Sequence, residues 1–498
     1  VSHSAVRKAK FEVSELSLDL RVALCALATT IAAVSLAACR DVSSHLAPPA
    51  GPDTTGLRLV ALYGDQVNGE PASADDAEPL VVALWNGVGR PVPNVQITWS
   101  VAGSGTLQEE SVLTDSDGLA SASWIFGDDR SSQVAVASTS GHEVDFHGWV
   151  RQSPNIATDT LLPLHLTTYD GSGQVVHPDV IFLPHSWDGG TARLAMAITP
   201  YPYGDAHQEN PSIFLSESGA SWKLPNAAGN PVVRPTTKDA YLSDPALVFD
   251  QPGHRLRMYY REVIDGENVV RLVTTMDGVG WSTPLEIVSV PSHGLVSPSV
   301  VKRSATNWLM WSVDGGPDGC SNKDAYVDLR RSNDGLYWDA PTRVVLDQPG
   351  GYPWHIDVKW IGALQQYWAL YNLKSSGSCV TPAVYLATSP DGVQWTTYRN
   401  PVLQRGAIAE LADVVYRSSF IYTKSDDMVT FYFSGARWDG EHYVWSGAVQ
   451  RRWREALFAG LQRVDGPALQ RTRWELPSPE RFVGGSRGRL NERARPLR

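Results

Sequence analysis

Aspartate and histidine return at one slot of a repeat in the second half of this chain. The segments are His177-Pro178-Asp179-Val180, Asp244-Pro245-Ala246-Leu247, Ser297-Pro298-Ser299-Val300, His355-Ile356-Asp357-Val358 and Leu411-Ala412-Asp413-Val414. Carboxylates and imidazoles gathered at one point suit glycosidic cleavage. That reaction uses one carboxylate as base or nucleophile and a second, protonated one as acid. Asp179, Glu209, Asp244 and Asp357 are the candidate catalytic residues, with Glu209 as the protonated member. His177, Tyr201, Tyr203, His207, Arg261, Glu262, Trp311, Trp354 and His355 are candidates for holding the sugar, with Trp311 and Trp354 read as exposed indoles. Ligands at metal-binding spacing do not occur locally, and neither a metal nor a cofactor is expected.

The elements that must position these residues follow from the repeat. Turn signatures end in Trp222, Trp281, Trp338 and Trp395, which are 59, 57 and 57 residues apart. Three of the turns carry Asp-Gly: Asp277-Gly278, Asp334-Gly335 and Asp391-Gly392. A second strand follows each opener, as at Leu256–Tyr260 and Tyr367–Tyr371. Each unit is then a four-stranded meander, and five meanders arranged radially make a propeller. The fifth unit lacks the Asp-Gly turn, so chain near Leu161–Tyr169 is expected to complete it. Openers and the loops after second strands share one rim, and the Asp-Gly turns lie on the other. The carboxylates of those turns are expected to bond backbone amides.

Residues 56–150 read differently. Short alternating runs such as Leu80–Trp85, Val95–Val101 and Gln133–Ser138, separated by turn residues, indicate an antiparallel sandwich. The segments Asn86-Gly87-Val88-Gly89-Arg90-Pro91-Val92-Pro93 and Asp115-Ser116-Asp117-Gly118-Leu119-Ala120 resemble the bacterial Ig-like domain of the invasin/intimin type. The resemblance implies a stalk without catalysis. The expected fold class is all-β, an Ig-like β-sandwich followed by a five-bladed β-propeller over 155–450.

The openers His177-Pro178-Asp179-Val180 and Ser243-Asp244-Pro245-Ala246-Leu247 resemble those of the arabinanase/levansucrase/invertase-type propellers, including glycoside hydrolase family 43. That resemblance implies a base at Asp179 and a tuning aspartate at Asp244 or Asp357. The family's acid stands at a third-blade opener, where this chain has Val296-Ser297-Pro298-Ser299 and no carboxylate. Glu209 or Glu262 would have to replace it.

Residues 1–38 read as an export signal. Basic residues precede the apolar run Val22–Ala38, which ends Leu36-Ala37-Ala38-Cys39. This resembles a bacterial lipobox and implies lipidation of Cys39, a membrane anchor, and a place in the cell envelope. Arg40 after the cysteine favours the outer membrane or cell surface. Residues 39–55 form a linker. Cys320 and Cys379 are an even pair in an exported chain, which reads as one disulfide. Net charge is −11, which argues against nucleic acid as a partner. Residues 451–498 hold twelve arginines against five acids and read as a basic, disordered tail. A monomer with a glycan ligand is expected. Two functions fit: a glycoside hydrolase, or a non-catalytic glycan-binding protein with the propeller as head.

Overall fold

The computed structural model describes residues 53–461 apart from 73–78, 186, 226–228, 252–253 and 348–349. The signal segment, Cys39 and the chain beyond 461 lie outside the described residues. The first part is a two-sheet sandwich. Arg58–Tyr63, Leu80–Trp85 and Leu119–Ala122 form one sheet. Val67–Gly69, His142–Val150, Gln133–Thr139, Gln96–Ala102 and Ser111–Leu113 form the other, in that order. Trp99, Trp124, Phe126 and Phe146 fill the space between them.

The second part is a five-bladed β-propeller. Blade one is Val175–Phe182, Leu194–Pro200 and Ser212–Ser216; blade two is Tyr241–Asp250, Arg255–Ile264, Glu267–Thr275 and Leu285–Pro291. Blade three is Val296–Ser304, Asn307–Asp314, Tyr326–Ser332 and Thr342–Arg343; blade four is Tyr352–Ile361, Gln366–Lys374, Ala383–Ser389 and Thr396–Thr397. Blade five has a broken inner strand, Val414–Val415 and Ser419–Thr423, then Met428–Trp438 and Tyr443–Trp453. Leu162–Leu164, which precedes blade one, pairs with Tyr443–Trp453 and closes the ring. Each inner strand packs beside the next, and that of blade five returns to that of blade one.

The Asp-Gly turns are structural. Asp277 Oδ1 accepts from the amides of Val279 and Gly280, at 2.8 and 2.9 Å, and Asp334 and Asp391 repeat the pattern. Gly392 has φ +73°, and a Cβ there would stand 2.6 Å from Trp311 Cζ2. The indole of Trp311 donates to the Gly392 carbonyl at 2.8 Å and is fully buried. Trp311 is therefore core at the Asp-turn rim, not an exposed sugar platform. The sandwich meets the propeller at that same rim: Trp149 stacks on His185 at 3.9 Å, and Glu70 accepts from the amide of Lys424. The opener rim is left to the site.

The basic tail begins later than its charge indicates. Arg451–Trp453 ends the last long strand, and Arg454–Gly460 is a helix whose Phe458 packs on Trp368 at 5.0 Å. Arg451, Arg452 and Arg454 bond Pro154 O, Val402 O and Asp427, so these cations belong to the fold.

Candidate metal and catalytic site

Proline sets the local geometry of the inner strands. It cannot donate to a neighbouring strand, so it sits at bulges. The ladder slips between Val176 and Asp179, between Ser243 and Ala246, and between Val296 and Ser299. In each slip the residue before proline takes positive φ: His177 at 56°, Asp244 at 50° and Ser297 at 57°. A non-glycine residue there is strained by about 1–3 kcal/mol, and such strain concentrates at functional sites.

His177 and Asp244 are thereby brought together with His355 of blade four. His177 Nε2 and His355 Nδ1 each lie 3.5 Å from Asp244 Oδ1. The far oxygen of Asp244 is held by Arg261 Nε at 3.2 Å and by the Ser243 hydroxyl at 3.1 Å. Arg261 also donates to Ser243 Oγ and Asn268 Oδ1, at 2.9 and 3.2 Å. Glu209 Oε1 stands 3.7 Å from His177 Nδ1. All seven side chains are buried. Thr199 fixes the tautomer of His177. Its hydroxyl donates to Val176 O at 3.3 Å, so it accepts from His177 Nδ1 at 3.2 Å. The lone pair of His177 therefore sits on Nε2, facing the cluster.

Burial drives the protonation states. It holds His177 well below the ordinary imidazole range and lowers His355, so both are neutral near pH 7. Burial and the neighbouring Asp244 push Glu209 well above the usual carboxylate range. Burial also opposes ionisation of Asp244, but the charged Arg261 and the Ser243 hydroxyl on its Oδ2 favour the carboxylate, and that pKa lies well below normal. One carboxylate is thus charged and its neighbour protonated.

Asp179 and Asp357 belong to a second layer, two residues further along their strands. Asp179 accepts from the amide of Leu247, from Ser419 and from Lys359. Lys359 Nζ is also 3.5 Å from Asp357 Oδ1. Burial, only partly countered by Lys359, pushes Asp357 up to about 6. Arg417 is buried and donates to Pro245 O and Pro298 O, at 2.7 and 3.3 Å, bridging the inner strands of blades two and three. Asp179 and Asp357 therefore do not share the first cluster, because i and i+2 on a strand point the same way but sit at different depths.

Other candidates separate along the same lines. Arg261 faces the site, whereas Glu262 points off the opposite side of its strand, to Arg271 and Thr236. Trp354 is buried beside His355, with ring centroids 6.1 Å apart, and is not an exposed platform. Tyr201 is buried, while Tyr203 and His207 are exposed on the loop before Glu209. The blade-five slot opposite His177 is Arg417, not Asp413. Ser419 pairs with Tyr432 as Asp179 pairs with Ala197. Asp413 instead accepts from the amide of Trp438 at 2.6 Å. Tyr416, absent from the sequence candidates, lies 4.2 Å from the His355 ring and 5.3 Å from that of His177.

The cluster also answers the expectation of no metal. Ligand atoms of His177, Asp244 and His355 all lie within 4.8 Å of one another. His177 Nε2, Asp244 Oδ1 and both ring nitrogens of His355 are buried without a hydrogen-bond partner. Buried polar atoms are rarely left so. Ligands at ~2.0–2.2 Å from a tetrahedral zinc stand roughly 3.3 Å apart, close to the 3.5 Å between Asp244 and each imidazole. Two neutral imidazoles and an ionised carboxylate fit a divalent cation of the zinc type. Arg261 and Thr199 orient these ligands from behind.

No protein-family model matches the chain. It is similar to the A type blood N-acetyl-alpha-D-galactosamine deacetylase of Flavonifractor plautii, at 28% identity over 322 residues, 56% of this chain and 40% of that protein. The chain thus spans less than half the length of that relative. Among solved structures, an N-acetylgalactosamine deacetylase from F. plautii in complex with blood group B trisaccharide superposes with a TM-score of 0.57 at 22% identity, covering 61% of this chain and 97% of that one. A thermostable family-43 glycoside hydrolase is a more distant neighbour, with a TM-score of 0.41 at 12% identity, covering 66% and 99%. The deacetylase superposition shows a shared propeller fold.

Proposed function

We propose that the propeller is a metal-dependent deacetylase that removes the N-acetyl group from a hexosamine of an external glycan. The observation that carries this reading is the set of buried, unbonded atoms on His177, Asp244 and His355 converging on one point. The 28% identity to the F. plautii deacetylase supports it. A divalent cation held by those three residues would polarise the acyl carbonyl and lower the pKa of water. Arg261 and Ser243 keep Asp244 ionised and aimed. Glu209, held protonated, is placed to give its proton to the amine nitrogen as the amide bond breaks. Burial of the cluster excludes bulk water and strengthens each of these interactions.

A second reading is glycosidic cleavage, favoured by the pairing of protonated Glu209 with ionised Asp244. Incubating the zinc-loaded protein with N-acetylgalactosamine- and N-acetylglucosamine-terminated oligosaccharides separates the two. Acetate release without new reducing ends is expected. New reducing ends without acetate would make it a glycosidase, and neither product would leave a binding protein. We place the protein in the cell envelope, anchored through Cys39, as the Leu36-Ala37-Ala38-Cys39 motif implies. A Cys39→Ser variant that still fractionates with membranes would refute that anchor.

A further inference from the structure

We infer that the mouth of the site, between blades one and five, carries an aromatic ledge that binds the sugar units beyond the reacting residue. This deepens the deacetylase reading and rests on it for the identity of the terminal sugar. A ladder of rings leads out of the buried cluster. Tyr416 touches both imidazoles, Trp445 lies 5.1 Å from Tyr416, Tyr443 6.2 Å from Trp445, and Trp438 5.1 Å from Tyr443. Burial falls along this path: Tyr416 and Trp445 are buried, Tyr443 is half-buried, and Trp438 is 50% exposed. On the blade-one side Tyr201 packs on Trp445 at 5.0 Å, and two residues later Tyr203 is 58% exposed, with its ring 5.6 Å from His442. Tyr203 and Trp438 therefore flank the 439–442 turn at the site rim.

A single exposed ring is ordinary on a protein surface. This pair is held by a frame. Gln174 is buried, and its Oε1 accepts from the amides of Tyr203 and Trp445, at 3.1 and 3.0 Å, tying the blade-one loop to blade five. Asp413 fixes Trp438 through its amide, and Asp439 caps the turn by accepting from Glu441 and His442. Tyr203 itself sits at φ 54°, a strained conformation for a side chain that packs no core. Rigid aromatic faces beside polar edges match the C–H face and hydroxyl rim of a pyranose ring, and pre-set rings lose little freedom on binding. The ligand is an oligosaccharide that runs from the buried cluster over this rim.

The test is calorimetric binding to the chelator-treated, non-turning-over protein. The probes are methyl N-acetylgalactosaminide and an N-acetylgalactosamine-terminated tetrasaccharide. The tetrasaccharide is expected to bind wild type at least about tenfold more tightly than the monosaccharide. That advantage should shrink to within about twofold in the Tyr203→Ala/Trp438→Ala variant, with monosaccharide binding unchanged. Both side chains are exposed, so melting temperature should hold and confirms folding. Equal binding of the two probes to wild type, no binding of either, or an advantage that survives the double substitution would overturn the ledge. A length advantage that is lost in the variant, in a protein that never releases acetate, would sustain the ledge and sink the deacetylase reading.

Discussion

Arg261 lays its Nε 3.2 Å from Oδ2 of Asp244, while Oδ1 of the same carboxylate faces the two imidazoles. The guanidinium thus compensates a fully buried charge without occupying the oxygen that faces the cluster. Removing one partner of such a pair strands the other, at a cost of about 3–5 kcal/mol. Arg261→Met should lose stability on that scale in urea denaturation, and its affinity for zinc should fall because Asp244 becomes easier to protonate. A loss under about 1 kcal/mol would mean that Asp244 finds another partner.

His355 turns Nδ1 to the cluster, 3.5 Å from Asp244 Oδ1, and neither of its ring nitrogens is held by a competing hydrogen bond. His355→Ala should therefore leave the fold intact and remove the metal. Elemental analysis after dialysis against zinc should give one equivalent for wild type and well under that for the variant. Asp179→Asn, which alters only the second layer, should retain its zinc. Equal metal in His355→Ala and wild type would place the ion elsewhere.

Glu209 is held protonated by burial and by Asp244. Glu209→Gln keeps the shape and loses the transferable proton. Acetate release should drop by about 10²–10⁴-fold, the usual contribution of a positioned acid or base. Bound zinc should stay near the wild-type level. Unchanged turnover would remove Glu209 from proton transfer.

Several of these residues were readable before any coordinates because their causes are local. Asp277, Asp334 and Asp391 announce their turns, since an Asx carboxylate bonds amides two and three residues on. The openers brought His177, Asp244 and His355 to one rim because each begins an inner strand. The candidate metal cluster was not readable. Its members stand 67 and 111 residues apart, and no local spacing marks ligands that converge only when blades close in a ring. Depth was equally hidden. Asp244 stands two positions earlier in its opener than Asp179, level with His177 beside the proline, but that this offset separates two layers shows only in the bulges, which put His177, not Asp179, opposite Asp244. In blade five the inner strand breaks between Val415 and Ser419, so aligning on Asp413 misplaced the slot that Arg417 fills. Glu262 was assigned to the site beside Arg261, and strand alternation sends the two to opposite faces.

Cys320 and Cys379 are joined, with Cα atoms 5.0 Å apart and a sequence separation of 59. They tie the rim loops of blades three and four. Lys374 donates to Cys320 O at 2.9 Å and sits 5.5 Å from the Trp354 ring, next to His355. Closing a loop of this length should stabilise by about 2–4 kcal/mol. A Cys320→Ser/Cys379→Ser protein should show that loss as a lower denaturant midpoint, with an m-value that rises as the unfolded chain loses its cross-link. An unchanged midpoint would mean that the loops hold together without the bridge.

Asp328 gives a pH signature away from the site. It lies on the third strand of blade three, between Val327 and Leu329, and burial pushes its pKa up to about 6. Arg330 and Arg343 pull it down and Asp314 pushes it up, but burial dominates. In the unfolded chain an aspartate titrates near ~3.9. The folded pKa is the higher one, so the folded state resists ionisation. Below about pH 4 both states are protonated and Asp328 costs nothing. As pH rises to about 6 the unfolded chain loses its proton first, and stability falls; above that the full cost is present. A shift of this size would be ~3 kcal/mol for a fully buried group, and partial solvent screening reduces it to about 1–2 kcal/mol. Asp328→Asn cannot ionise and should escape the loss. Its stability relative to wild type should therefore improve by about 1–2 kcal/mol between pH 4 and pH 6.5 in urea titrations. All other titrating groups are common to both proteins and cancel in the difference. A difference that stays constant across this window would show that Asp328 ionises in the fold as freely as in water.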